Sequence, residues 1–71
     1  MKVTQQQIDQ VASRLKPIIV DILLRRHGLK PYNKVQTLQD IGNALGLTRD
    51  EVLKFSRKGL RIIENIKLND L

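Results

Sequence analysis

Apolar residues recur at helical spacing through the first third of the chain. Ile8, Val11, Leu15, Ile18 and Ile22 follow one another in steps of three and four, and Ile19 and Leu23 widen the same stripe. Thr4 opens it with the T-x-x-Q spacing of a capping box, in which a hydroxyl and a Gln7 side chain each satisfy a backbone N–H. Pro17 interrupts the stripe, because proline lacks an N–H and clashes with the preceding turn. Two arrangements fit. One is a helix ending near Leu15 and a new helix with Pro17 at its first position; the other is a single kinked helix from Thr4 to His27. The spacing favours a break or a marked kink. Gly28 ends this segment, after Arg25, Arg26 and His27, whose positive charge suits a helix C-terminus.

Leu29 to Gln36, LKPYNKVQ, is a basic connecting loop with Pro31 and Asn33 as turn formers. Thr37 is a candidate N-cap for the next helix, which carries Leu38, Ile41 and Leu45 on one face and stops at Gly46. Thr48 to Glu51 repeats the capping-box spacing. From there Val52, Phe55, Leu60, Ile63 and Ile66 predict a last helix from Arg49 to about Lys67, with Gly59 as a close-packing position and Asn69 to Leu71 fraying. Gly42 stands where two steeply crossing helices would approach most closely. Residues 37–67 thus read as a helix-turn-helix; an αα-hairpin without a ligand fits the same pattern. Alternation of apolar and polar residues, the mark of a strand, is found nowhere. The expected fold is all-α, a single small domain of four or five helices over residues 1–71.

Thirteen Lys and Arg against seven Asp and Glu give a formal charge of +6, which favours a polyanionic partner. The absence of cysteine excludes disulfides and thiolate metal sites, and one histidine, His27, cannot hold zinc alone. No apolar run approaches the roughly 18–20 residues of a membrane span. The first residues, MKVTQQQID, lack a signal-peptide core. A soluble protein of the reducing cytoplasm, without membrane contact, is expected. Tyr32 and Phe55 are the only aromatic residues, which counts against base stacking as in single-strand or RNA binders.

No catalytic constellation is visible, and neither a cofactor nor a metal is called for. Asp50 and Glu51 are adjacent and diverge by about 100° on a helix, so they cannot act as a pair. The last helix is more informative. With Val52, Phe55, Leu60 and Ile63 inward, Arg49, Asp50, Leu53, Lys54, Arg57, Lys58 and Arg61 lie outward, and five of those seven are basic. When such a helix enters the major groove of duplex DNA, its first residues reach base edges and later ones meet phosphates. Arg49, Asp50, Leu53 and Lys54 are candidates for base contact. Arg57, Lys58 and Arg61 are candidates for phosphate contact. Thr48 and the helix N-terminus offer N–H groups to a phosphate, and Lys30 and Lys34 a flanking contact. A solvated charged face is the plainer alternative.

The stretch TLQDIGNALGLTRDEVLKFSRKGLRII resembles the C-terminal promoter-recognition domain, region four, of bacterial sigma factors, whose pattern runs close to TLEEIGKxLGVTRERVRQIExKALRKL. Thr37, Leu38, Ile41, Gly42, Thr48, Arg49, Lys58, Leu60 and Arg61 match, with conservative changes at Asp40, Leu47, Asp50 and Gly59. Upstream, LKPIIVDILLRRHGL is similar to LTPREREVLRLRFGL, sharing Leu15, Pro17, Leu23, Arg26, Gly28 and Leu29. The resemblance implies a helical domain that reads the −35 promoter element, with Arg49, Asp50 and Lys54 facing the bases, and that docks on the β flap of RNA polymerase. Glu51 and Leu53 replace two basic residues of the pattern, and Lys54 replaces a glutamine. An outward Leu53 suggests a thymine methyl or a protein as its contact. With no polymerase-core-binding or promoter-melting segment, the chain is expected to be less than a complete sigma factor. The segment Thr4 to Leu15 has no counterpart in the family; its apolar stripe either covers the surface of Ile18 to Leu24 or forms a homodimer. The primary expectation is a small transcription regulator that binds double-stranded DNA. The alternative is a protein-interaction module that binds RNA polymerase or a sigma partner without DNA.

Overall fold

The computed structural model describes residues 3–69, with side chains as far as Asn65. Four α-helices are present among these residues: α1 (Gln5–Val11), α2 (Pro17–Arg26), α3 (Leu38–Leu45) and α4 (Arg49–Asn69). A 3-10 turn, Ala12–Arg14, follows α1 directly. The described residues contain no strand. The burial expected for Ile66 lies outside the described side chains; of the fraying expected for Asn69 to Leu71, Asp70 and Leu71 lie outside the described residues, whereas Asn69 is the last residue of α4.

Pro17 breaks the leading segment; it does not kink it. Leu15 (φ −111°, ψ 149°) and Lys16 (φ −64°, ψ 144°) are both extended, and Pro17 starts α2 as its first residue. The Cδ of a proline pushes the preceding residue out of the helical region, which accounts for Lys16. The apolar stripe nevertheless stays in phase, and Ile8, Val11, Leu15 and Ile19 are all buried in one cluster with Val3, Leu23 and Ile63. The stripe of α1 is therefore spent on the chain's own body. That is the first of the two uses expected for it, and it leaves α1 without an apolar face for a second copy.

Helix α2 is central. Ile19 and Leu23 face α1 and the later part of α4, whereas Ile22 meets Ile41 of α3 and Val52 of α4 in a second cluster. Ile18 and Phe55, each half-buried, touch both clusters. Ser56 and Gly59 are the small residues on the buried side of α4. A Cβ on Gly59 would lie 2.7 Å from Leu23 Cδ1 and 3.0 Å from Ile19 Cγ2, so α4 crosses α2 at this point and the glycine sets their approach.

The joint between α3 and α4 takes three residues, Gly46 to Thr48. Gly46 sits in the left-handed region (φ 70°), where a Cβ is disfavoured. Leu47 N–H donates to Gly42 O at 2.9 Å, folding the turn back over α3. A Cβ on Gly42 would lie 2.6 Å from Leu47 O. The close approach that demands this glycine is to the turn's backbone, and less to the body of the second helix.

The longer connection from α2 to α3 folds back on α2. Gln36 N–H donates to Arg25 O at 3.0 Å, and the Tyr32 hydroxyl donates to the Asp21 carboxylate. Asp21 also pairs with Arg25 (3.2 Å), whose guanidinium lies 4.3 Å from the centre of the Tyr32 ring. The hydrogen bond to Asp21 is the main cause that holds the Tyr32 pKa above its ordinary value of 10.0.

Candidate nucleic-acid interface

Helix α4 is started by a reciprocal pair of hydrogen bonds. Glu51 N–H donates to Thr48 Oγ1 at 3.1 Å, and Thr48 N–H donates to Glu51 Oε1 at 2.9 Å. Thr37 and Asp40 form the same box on α3, and Thr4 and Gln7 on α1. Thr48 is thus committed to its own helix through both its hydroxyl and its N–H. The bonds from Thr48 hold the Glu51 pKa below its ordinary 4.5. The sign follows from that depression: the contribution of the Glu51 carboxylate is present above its ordinary 4.5 and is lost as the pH falls through the lowered folded value, while the Glu51 N–H bond to Thr48 Oγ1 does not titrate. Thr48→Ala is expected to cost about 1 kcal/mol in chemical denaturation at neutral pH, the usual loss for an N-cap. A titration of Glu51 in that variant should return its pKa only part of the way toward the ordinary value, because the Thr48 backbone N–H, the larger cause, still donates to the carboxylate; an unmoved pKa would show that the Thr48 hydroxyl does not help to depress it.

From this start the helix turns its polar side outward. Val52 and Ile63 are buried, at 0% and 2% exposure, while Arg49, Asp50, Lys54, Arg57, Lys58 and Arg61 are all exposed. At about 100° per residue, Arg57, Asp50, Arg61, Lys54 and Lys58 fall within an arc of about 100° centred opposite Val52 and Ile63. Arg49, expected on the same side, lies about 130° from the centre of this arc, nearer the phase of the buried face, and is exposed because it stands at the first turn. Among the described residues Arg25–Asp21 is the one ion pair, so these lysines and arginines are not paired with acids of the described chain. Asp50 and Glu51 are exposed acids of the first turn, favourable for the helix dipole.

Leu53 departs from the outward placement expected for it. It is half-buried and lines a groove together with Leu38 and Val35. The physical reason is its phase: Leu53 lies about 90° from the centre of the cationic arc, and there the end of α2 and the loop rise beside α4. Lys30 and Lys34 are exposed on that loop, as are Arg14 and Lys16 near the break before α2. Arg26 is half-buried and donates weakly to Gln36 O at 3.4 Å. His27 is half-buried too, and burial, with help from the Arg26 charge, lowers its pKa below 6.5, so the ring is neutral at pH 7.

Burial of Ser56 (6% exposed) and the groove were not foreseen. Val35, an apolar residue 62% exposed within an otherwise polar loop, was the available signal for the groove. No three His, Cys, Asp or Glu residues gather as a metal site would need among the described residues, and no helix there is long and apolar enough to cross a membrane. Comparison of the chain with protein-family models, with curated proteins and with solved structures finds no match.

Proposed function

We propose that this chain binds double-stranded DNA through α4, as a small helix-turn-helix transcription regulator resembling region four of sigma factors. The observation that carries the reading is the arc of Lys54, Arg57, Lys58 and Arg61, exposed, without an ion pair among the described residues and opposite the buried face of a helix that follows a three-residue turn. In this reading α3, the turn and α4 are the helix-turn-helix, and α4 lies in the major groove. Arg49, Asp50 and Lys54 read base edges, whereas Arg57, Lys58 and Arg61 hold phosphates. Beside Thr48, the N-terminus of α4 offers N–H groups to a phosphate. Leu53, being half-buried at the edge of the arc, is the weakest of the candidate contacts.

The alternative, a module that binds RNA polymerase or a sigma partner without DNA, rested on Leu53 and on the apolar stripe of α1 and α2. Burial of Ile8, Val11, Ile19 and Leu23 within the chain removes the second support.

Selection of bound duplexes from a random pool, followed by affinity measurements on the winners, tests the proposal. Arg57→Ala and Lys58→Ala should weaken all duplexes alike; Arg49→Ala should flatten the difference between selected and random duplexes. If the chain retains no duplex even at low salt, the DNA reading is wrong.

A further inference from the structure

The groove beside α4 has a volume of about 620 Å³, within the range of small-molecule sites. Leu29, Val35, Leu38, Leu53 and Leu60 supply its apolar lining. Arg26, His27, Ser56 and Arg57 are its polar members, and no carboxylate lines it. Every one of these four can donate a hydrogen bond, and two are permanently cationic. His27 Nε2 is buried with no hydrogen-bond partner, and one tautomer of the neutral ring presents an N–H there. Apolar walls ending in donors and positive charge complement a ligand that has an apolar body and one anionic end. Arg57 matters twice, because it lines this groove and also belongs to the exposed cationic arc of α4.

We infer that the groove binds a small amphipathic carboxylate, its chain against Leu53, Leu38 and Val35 and its carboxylate on Arg57, and that such a ligand competes with duplex DNA for that guanidinium. The site follows from the groove alone; the competition rests on the function proposed above. A guanidinium meets a carboxylate in a bidentate fork, so an occupied Arg57 has fewer donors left for a phosphate. The ligand also adds a negative charge beside the helix that would face the DNA backbone.

Calorimetric titration of the full chain with decanoate, kept below the concentration at which it forms micelles, tests the site. Sodium sulfate and 1-decanol serve as controls for charge alone and for the apolar chain alone. Decanoate should bind saturably, with sulfate giving no saturable heat and decanol binding at least about tenfold more weakly. Val35→Asp changes an exposed loop residue, so it should leave the melting temperature unchanged and weaken decanoate by at least about tenfold. Arg57→Gln should weaken it as well. Absent saturation, equal binding of decanol or sulfate, or unchanged binding by the Val35 variant each overturn the site. In a second arm, a labelled duplex is titrated with and without saturating decanoate. Loss of duplex affinity supports competition; unchanged affinity with a filled groove overturns it. A chain that binds no duplex at all sinks the DNA reading and the competition together, while the calorimetric arm still decides the site.

Discussion

Raising the salt concentration from about 50 to about 200 mM is expected to weaken duplex binding roughly fortyfold. Arg57, Lys58 and Arg61 are exposed and free of ion pairs in the described chain, so each is available to one phosphate. Each neutralised phosphate releases condensed counterions and contributes about −0.9 to the slope of log affinity against log salt. Three contacts therefore give a slope of about −2.7, and a fourfold rise in salt lowers affinity by about fortyfold. Arg57→Ala should make the slope shallower by about one. Fluorescence anisotropy of a labelled duplex across a salt series measures both quantities. A slope near zero would mean that the binding surface does not neutralise phosphates.

The second large effect concerns the turn that sets the pitch of α4. Gly42→Ala is expected to destabilise the chain by about 1–3 kcal/mol, the usual range for overpacking. Against it stands the helical preference of Ala over Gly, which is about 1 kcal/mol in the opposite direction. The clash wins at this position because the new Cβ meets a backbone oxygen, Leu47 O at 2.6 Å, that is already held by the turn. At Gly59 the nearest atom, Leu23 Cδ1, is the end of a side chain that can rotate, so Gly59→Ala should cost less. Total stability for 71 residues is about 4–10 kcal/mol, which makes the larger loss readily visible as a drop in melting temperature of roughly 4–8 °C per kcal/mol. Gly42→Ala should also reduce duplex affinity, since moving Leu47 and Thr48 re-aims the first turn of α4. Equal melting temperatures for the two alanine variants would show that the turn does not depend on its approach to Gly42.

Much of this architecture was legible because it is local. Capping boxes at Thr4 and Thr48, the left-handed stop at Gly46 and the 3-4-3-4 stripe each depend on residues within one or two turns of one another. Pro17 was ambiguous for a physical reason. A stripe that keeps its phase across a proline fits a kink as well as a break, and only the extended Leu15 and Lys16 decide between them. Burial of the stripe of α1 against Leu23 and Ile63 was open in the same way, since an apolar face does not say which surface covers it.

The candidate interface was legible where the helical wheel alone decides. Residues about opposite Val52 are exposed whatever packs on the other side. Leu53 lies at the boundary, where exposure depends on the height of the neighbouring loop, and that loop is shaped by distant contacts such as Gln36 to Arg25 and Tyr32 to Asp21. Ser56 is buried although its polarity by itself pointed the other way. Pairing of Thr37 with Asp40 was hidden because the shorter Asp stands where the usual box has Glu or Gln.

The central claim is that the cationic arc of α4 is the surface that meets DNA. The most direct measurement is an amide-shift map of the isotope-labelled chain titrated with a selected duplex. The largest changes are expected on Arg49 through Arg61, continuing into the turn at Leu47 and Thr48, with α1 little affected. Changes centred instead on Arg14 and Lys16, or on the loop lysines alone, with α4 silent, would contradict it.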